Sequence, residues 1–96
     1  MTKKNLAALA VLVAGGYFRK ALAPSYPTGR LMFSTHLFNA AGERIPGHGL
    51  ASLESIQKWG CLSHDISCVG TVERWAFQLP TDPDQAVRLD RILETL

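Results

Sequence analysis

Residues 61–68 hold the side-chain types that a metal site requires. Cys61, His64 and Cys68 form the pattern C-x2-H-x3-C, and thiolate and imidazole are the donors that zinc prefers. A further ligand would have to come from Asp65 or from a histidine elsewhere in the chain. The alternative is that Cys61 is a buried hydrophobic residue of the core that binds no metal.

The same segment contains the residue types of a hydrolytic triad, Ser63, His64 and Asp65. Adjacent residues on a strand point to opposite faces of a sheet, so adjacency in sequence does not assemble a triad. The run 47–49, Gly-His-Gly, lacks the lysine and the glycine spacing of a phosphate-binding loop. We therefore expect no catalytic residues and no enzymatic activity.

Positive charge is concentrated in the first 81 residues. Eight lysines and arginines stand against four acids there, whereas the last fifteen residues carry a net charge of −2. A basic body attracts polyanions. Nucleic acid is therefore one predicted partner.

The composition is that of a single globular domain. The chain has 96 residues, of which 47% are hydrophobic and 19% charged, which argues against global disorder. This length suffices for one modest core. Two cysteines do not make a disulfide framework, so we expect a cytoplasmic protein.

The N-terminus superficially resembles an export signal, with two lysines before the apolar run Leu6–Ala14. Arg19, Lys20 and Pro24 are unfavourable around a cleavage site. The apolar run spans nine residues, well below the ~20 that cross a bilayer. We expect a buried helix here and no membrane association.

The first half of the chain has the pattern helix, glycine, hairpin. Apolar spacing and alanine content predict a helix over 3–13, which Gly15-Gly16 ends. Residues 17–20 then predict a short strand, and the prolines of 23–29 predict a loop. Alternating residues over 31–38 predict the return strand.

The second half repeats this pattern. A helix is expected over 52–59, with Ser52 as its N-cap and Gly60 at its end. A strand begins at Cys61, and residues 74–79 alternate as its return strand. A last helix begins at Asp82-Pro83; its apolar stripe comprises Leu89, Ile92, Leu93 and Leu96.

Laying the halves over each other with a shift of 44 residues matches helix, glycine stop and strands. The matched pairs are Leu9 with Leu53, Gly16 with Gly60, Phe18 with Leu62, Leu31 with Trp75, and Phe33 with Phe77. The predicted fold is thus α+β in a single domain. It comprises two αββ halves, 1–45 and 46–80, and a C-terminal capping helix in 81–96.

The overlay also bears on the site residues. It matches Cys61 with Tyr17, a core-like position, so we expect a buried cysteine, no bound metal or other cofactor, and no disulfide. Arg19-Lys20 fall on Ser63-His64. If a pseudo-twofold axis relates the halves, a binding surface uses both hairpins together.

Residues 50–80 resemble a winged-helix domain. The resemblance lies in the helix 52–59, the exit Gly60-Cys61-Leu62 and a hairpin that returns through 75–79. It implies that this helix enters the major groove of DNA while the hairpin contacts phosphates. The chain departs from that family because no helix immediately precedes Ser52.

Two functions remain open at this stage. The first is a small winged-helix-like nucleic-acid-binding or regulatory protein. Its predicted contacts are Arg19, Lys20, Ser55, Gln57, Lys58, His64 and Arg74.

The second is a phage- or plasmid-encoded inhibitor, of the anti-CRISPR kind, or an accessory factor that binds a protein. Aromatic and arginine side chains dominate the energetics of protein interfaces. The predicted contacts are therefore Tyr26, Arg30 and Arg44. Neither hypothesis specifies an oligomeric state.

Overall fold

A computed structural model describes residues 1–24, 27–67 and 70–96. Its elements are α1 (Lys3–Val13), β1 (Tyr17–Pro24), β2 (Leu31–Phe38), β3 (Arg44–Ile45), α2 (Leu50–Gln57), β4 (Leu62–Ile66), β5 (Val72–Phe77) and α3 (Pro83–Leu93). The predicted α+β fold, with two αββ units and a C-terminal helix, is confirmed.

The five strands form one antiparallel sheet in the order β3-β2-β1-β5-β4. Because β2 and β5 each run antiparallel to β1, they are parallel to each other, and β4 is parallel to β1. The two αββ units are thus related by a translation across the sheet. This order is incompatible with a pseudo-twofold axis between the halves.

The hairpin registers refine the sequence overlay. Phe18 lies opposite Leu37 in the first hairpin, and Leu62 lies opposite Phe77 in the second. The first strands therefore match at the 44-residue shift, whereas the return strands match at 40. The overlays of Leu31 on Trp75 and of Phe33 on Phe77 are wrong because the first hairpin is longer.

Helix α1 has the predicted bounds. The Thr2 side chain accepts a hydrogen bond from the backbone N–H of Asn5 and caps the helix. Gly15, at φ +103°, turns the chain out of the helix, a conformation that glycine adopts without steric cost.

Helix α2 begins earlier than predicted. Its N-cap is Gly49, whose carbonyl accepts the first helical hydrogen bond from Leu53. Ser52 lies inside the first turn with only 4% of its surface exposed, so its predicted role as N-cap is wrong. Gly60 has a positive φ and follows the helix, as predicted.

Strand β1 runs to Pro24, further than predicted. The N–H of Leu22 donates to Thr71 on the β5 side, and the nitrogen of Pro24, two residues on, faces the same side. The β1–β5 pairing has already ended there, at Ala21. The proline therefore removes no hydrogen bond from the sheet.

The core lies between one face of the sheet and the helices. Its largest fully buried side chains are Phe18, Leu9, Leu12, Leu37, Ile56, Leu89 and Cys61.

Asp82 caps α3 as predicted, and Ile92 and Leu93 pack against the core beside Leu89. Leu96 follows the end of the helix and is 50% exposed, so the prediction that it belongs to the helix's apolar stripe is wrong. Across the described residues, no helix combines the length and apolar character needed to cross a membrane.

Candidate functional site on the open face of the sheet

Among the described residues, all three helices pack on one face of the sheet and none covers the other face. Phe18 and Leu37 point to the face on which the helices pack, and side chains alternate along a strand. Tyr17, Arg19 and Ala21 therefore point to the opposite side, which we call the open face.

Two aromatic rings and two arginines meet on the open face, at the end where β1 begins and β2 ends. The Tyr17 and Phe38 rings stack with centroids 5.5 Å apart and an interplanar angle of 18°. The guanidinium of Arg74 lies 4.0 Å from the Tyr17 centroid, and that of Arg19 lies 5.9 Å from the Phe38 centroid. We call these four residues the arginine–aromatic cluster.

The cluster combines two like charges. Arg19 on β1 lies directly opposite Arg74 on β5, and like charges at such positions repel. Arg44 on β3 adds a third cation to the same face, opposite Phe38. Within the described residues, no carboxylate lies within 4.0 Å of these arginines. The face is therefore suited to an external anion.

A hollow of about 200 Å³ lies beside the cluster on β1 and β2. Small side chains form its floor, while a ring, a guanidinium and an imidazole surround them. The lining residues are Arg19, Ala21, Ala23, Ser34, His36 and Phe38.

Two histidines are held in the neutral form. Desolvation and the nearby charges of Arg44 and Arg19 lower the pKa of His36, whose Nε2 lies 2.8 Å from Ser34 Oγ. Desolvation and the charge of Lys4 lower the pKa of His48. Both imidazoles are therefore largely uncharged at neutral pH and able to donate and accept hydrogen bonds.

Acidification below neutral pH is expected to destabilise the fold. Because the folded pKa values lie below the ordinary ~6.5, the unfolded chain binds more protons between the two values, and stability falls as pH falls through that window. Thermal unfolding monitored by circular dichroism between pH 7.5 and 5.5 measures the effect. A His36→Gln, His48→Gln variant is expected to show a shallower decline; an equal slope would contradict this assignment.

The structure brings together only part of the set predicted from sequence. Arg19 and Arg74 share the open face, whereas Lys20 and His64 point to the helix-bearing face. Lys20 Nζ lies 5.1 Å from the Phe33 centroid. The His64 ring stacks on Trp75 at 3.8 Å, and its Nε2 lies 2.6 Å from Glu73 Oε1.

The remaining predicted residues lie elsewhere. Ser55, Gln57 and Lys58 are at or just after the end of α2, in the helix layer and away from the open face; Ser55 is half-buried. Arg30 is exposed just before β2. Tyr26 lies outside the described residues.

Sequence reasoning did not select Tyr17, Phe38 and His36 for the site. Their spacing in the sequence could have indicated them. Tyr17 is two residues from Arg19, and Phe38 is two residues from His36, so each pair lies on one face of its strand. Only the register shows that these pairs lie side by side.

The cysteine motif lies only partly within the described residues. Cys61 is buried as predicted; its Sγ lies 3.7 Å from the Ile56 carbonyl oxygen, and burial raises the pKa of the thiol. Cys68 lies outside the described residues. No cluster of three histidine, cysteine or acidic side chains suited to a metal occurs in 1–24, 27–67 and 70–96.

The open face thus offers aromatic rings that can stack on planar groups and guanidinium groups that can bind anions. It joins a small hollow to paired aromatic rings and arginines that lie within one sheet. Comparison with protein-family models, curated proteins and solved structures finds no match to this chain.

Proposed function

We propose that this protein binds nucleic acid through the open face of its sheet. The observation that carries the proposal is the apposition of Arg19 and Arg74 above two stacked rings, with no carboxylate of the described residues within 4.0 Å. A phosphate between the guanidinium groups would offset their repulsion and accept charge-assisted hydrogen bonds.

The rings and guanidinium planes supply the second component of such binding. Bases stack on aromatic side chains and on arginine, and each stacked base contributes ~1–3 kcal/mol. In this proposal the protein is cytoplasmic and acts by binding rather than by catalysis. The interface is the sheet, not α2, because α2 lies in the opposite layer from the cluster.

Removing both opposed arginines is expected to abolish most of the affinity. Arg19→Ala with Arg74→Ala should weaken binding of a fluorescein-labelled oligonucleotide at least ~10-fold and reduce the salt slope by up to ~2. Fluorescence anisotropy at several salt concentrations measures both quantities. The matched control is Arg88→Ala with Arg91→Ala, which removes the same charge from exposed positions on α3 and should leave affinity within ~2-fold.

Either of two results would refute the proposed function. One is an affinity of the double variant equal to that of the wild type. The other is a wild-type protein whose binding does not respond to salt.

A specific surface supports the alternative function, a protein-binding inhibitor or accessory factor. The far end of the β1–β2 hairpin exposes apolar side chains, with Leu31 66%, Met32 56% and Phe33 44% exposed. Such patches mark protein interaction sites. Leu31→Ser with Phe33→Ser should then abolish a stoichiometric protein complex that the arginine double variant retains.

A further inference from the structure

We infer that the hollow on β1 and β2 receives a single unpaired base, so that the ligand is single-stranded nucleic acid rather than a duplex. This inference rests on the proposed function and specifies its substrate class.

The dimensions of the hollow favour one planar ring system. Its volume of about 200 Å³ is below the ~300–1,000 Å³ of pockets for drug-sized ligands. Ala21, Ala23 and Ser34 keep the floor low. Phe38 and Arg19 line one end of the hollow, and both side chains carry a planar group.

The hollow also holds polar groups for the edge of a base. Ser34 Oγ and His36 Nε2 form a hydrogen-bonded pair, 2.8 Å apart, on an otherwise apolar floor. A hydroxyl and a neutral imidazole each donate and accept, so the pair complements the mixed donors and acceptors of a base edge. Arg19 adjoins these groups and can bind the phosphate of the nucleotide whose base occupies the hollow.

A second depression extends the path. It has a volume of about 270 Å³, shares Ala23 and Ser34 with the hollow, and is further lined by Pro24, Met32 and Phe33. A nucleic-acid strand that runs from the arginine–aromatic cluster along the β1–β2 hairpin therefore meets further apolar surface. This continuity suits an extended chain of nucleotides.

The width of the sheet argues against a duplex ligand. Five strands spaced at ~4.8 Å span roughly 19 Å, whereas the major groove of B-DNA is ~12 Å wide and admits a helix or a two-stranded ribbon. The open face cannot enter that groove, and the bases of a duplex are already paired and stacked. Unpaired bases, in contrast, can turn toward the sheet.

Filling the hollow tests the inference. The probes are fluorescein-labelled 12-nucleotide single strands, in DNA and RNA forms, and a duplex of the same sequence. Because one stacked base contributes ~1–3 kcal/mol, wild type is expected to bind at least one single strand ~10-fold more tightly than the duplex. Ala21→Leu should remove that contribution, weaken single-strand binding ~5-fold or more, and leave duplex binding unchanged.

Two further variants control for folding and position. Ala23→Leu fills the outer end of the hollow and should have the same effect. It replaces Ala21→Leu in the test if thermal unfolding shows that Ala21→Leu is unstable. Ala10→Leu makes the same change at an exposed position on α1 and should not alter affinity.

The outcomes separate the two proposals. Equal binding of duplex and single strands, or unchanged single-strand affinity of both hollow-filling variants, would overturn the inference; a loss of affinity in the arginine double variant would still support the proposed function. Absence of binding to every probe would overturn both. Preference for the DNA or the RNA form identifies which strand the hollow accepts.

Discussion

Replacing Phe18 with alanine is expected to remove a large part of the stability of this protein. Phe18 is fully buried on the central strand, between Leu37 on β2 and Trp75 on β5. Truncating a buried phenylalanine costs ~3–5 kcal/mol, because transfer free energy is lost and a cavity remains. A domain has ~5–15 kcal/mol in total, so a substantial unfolded fraction is expected near the lower end of that range.

Chemical denaturation followed by circular dichroism measures this loss. Phe33→Ala is the matched control, since Phe33 lies on β2 of the same hairpin but is 44% exposed. It should cost about 1 kcal/mol or less. Equal losses in the two variants would show that β1 is not the centre of the core.

Gly16→Ala is expected to destabilise the fold by ~1–3 kcal/mol, the usual cost of forcing an extra group into a packed site. Gly16 lies at the junction of α1 and β1. A Cβ atom there would lie 2.5 Å from the Phe38 carbonyl oxygen and 2.6 Å from Val11 Cγ1. The backbone must shift to relieve the first contact, because a carbonyl of a paired strand has no rotamer to change.

The measurement is again the free energy of unfolding, with Gly49→Ala as the control. A Cβ atom on Gly49 meets nothing closer than the Thr35 carbonyl oxygen at 3.6 Å. As an N-cap, Gly49 is preferred over alanine, so a loss of ~1 kcal/mol or less is expected. A Gly16 variant as stable as this control would mean that the helix–strand junction adjusts freely.

Local patterns predicted most of the fold. The bounds of α1 and β2 follow directly from periods of 3.6 and 2.0 residues. The start of α2 was not predicted correctly from local preferences, because serine is a preferred N-cap residue whereas the N-cap in the structure is Gly49. Tertiary packing draws Ser52 into the buried layer, and no local pattern reports that packing.

The candidate site was predictable only in part. Arg19 and Arg74 are predicted from charge, but their position opposite each other depends on β1 pairing with β5, a long-range choice between several possible strand orders. The stacking of Tyr17 on Phe38 depends likewise on hairpin register. Lys58 is predicted from the winged-helix resemblance, but it lies in the helix layer. That resemblance covers only one helix and one hairpin and carries no information about the first half of the sheet.

The translational arrangement of the two αββ units has a consequence for how the chain folds. The first strand of the first unit, β1, pairs with the last strand of the second unit, β5. During synthesis the first hairpin forms from local contacts, but one edge of β1 stays unpaired until residue 77 has emerged. We therefore expect that neither repeat folds on its own, and that the pairing of β5 with β1 is the step that places Arg19 opposite Arg74.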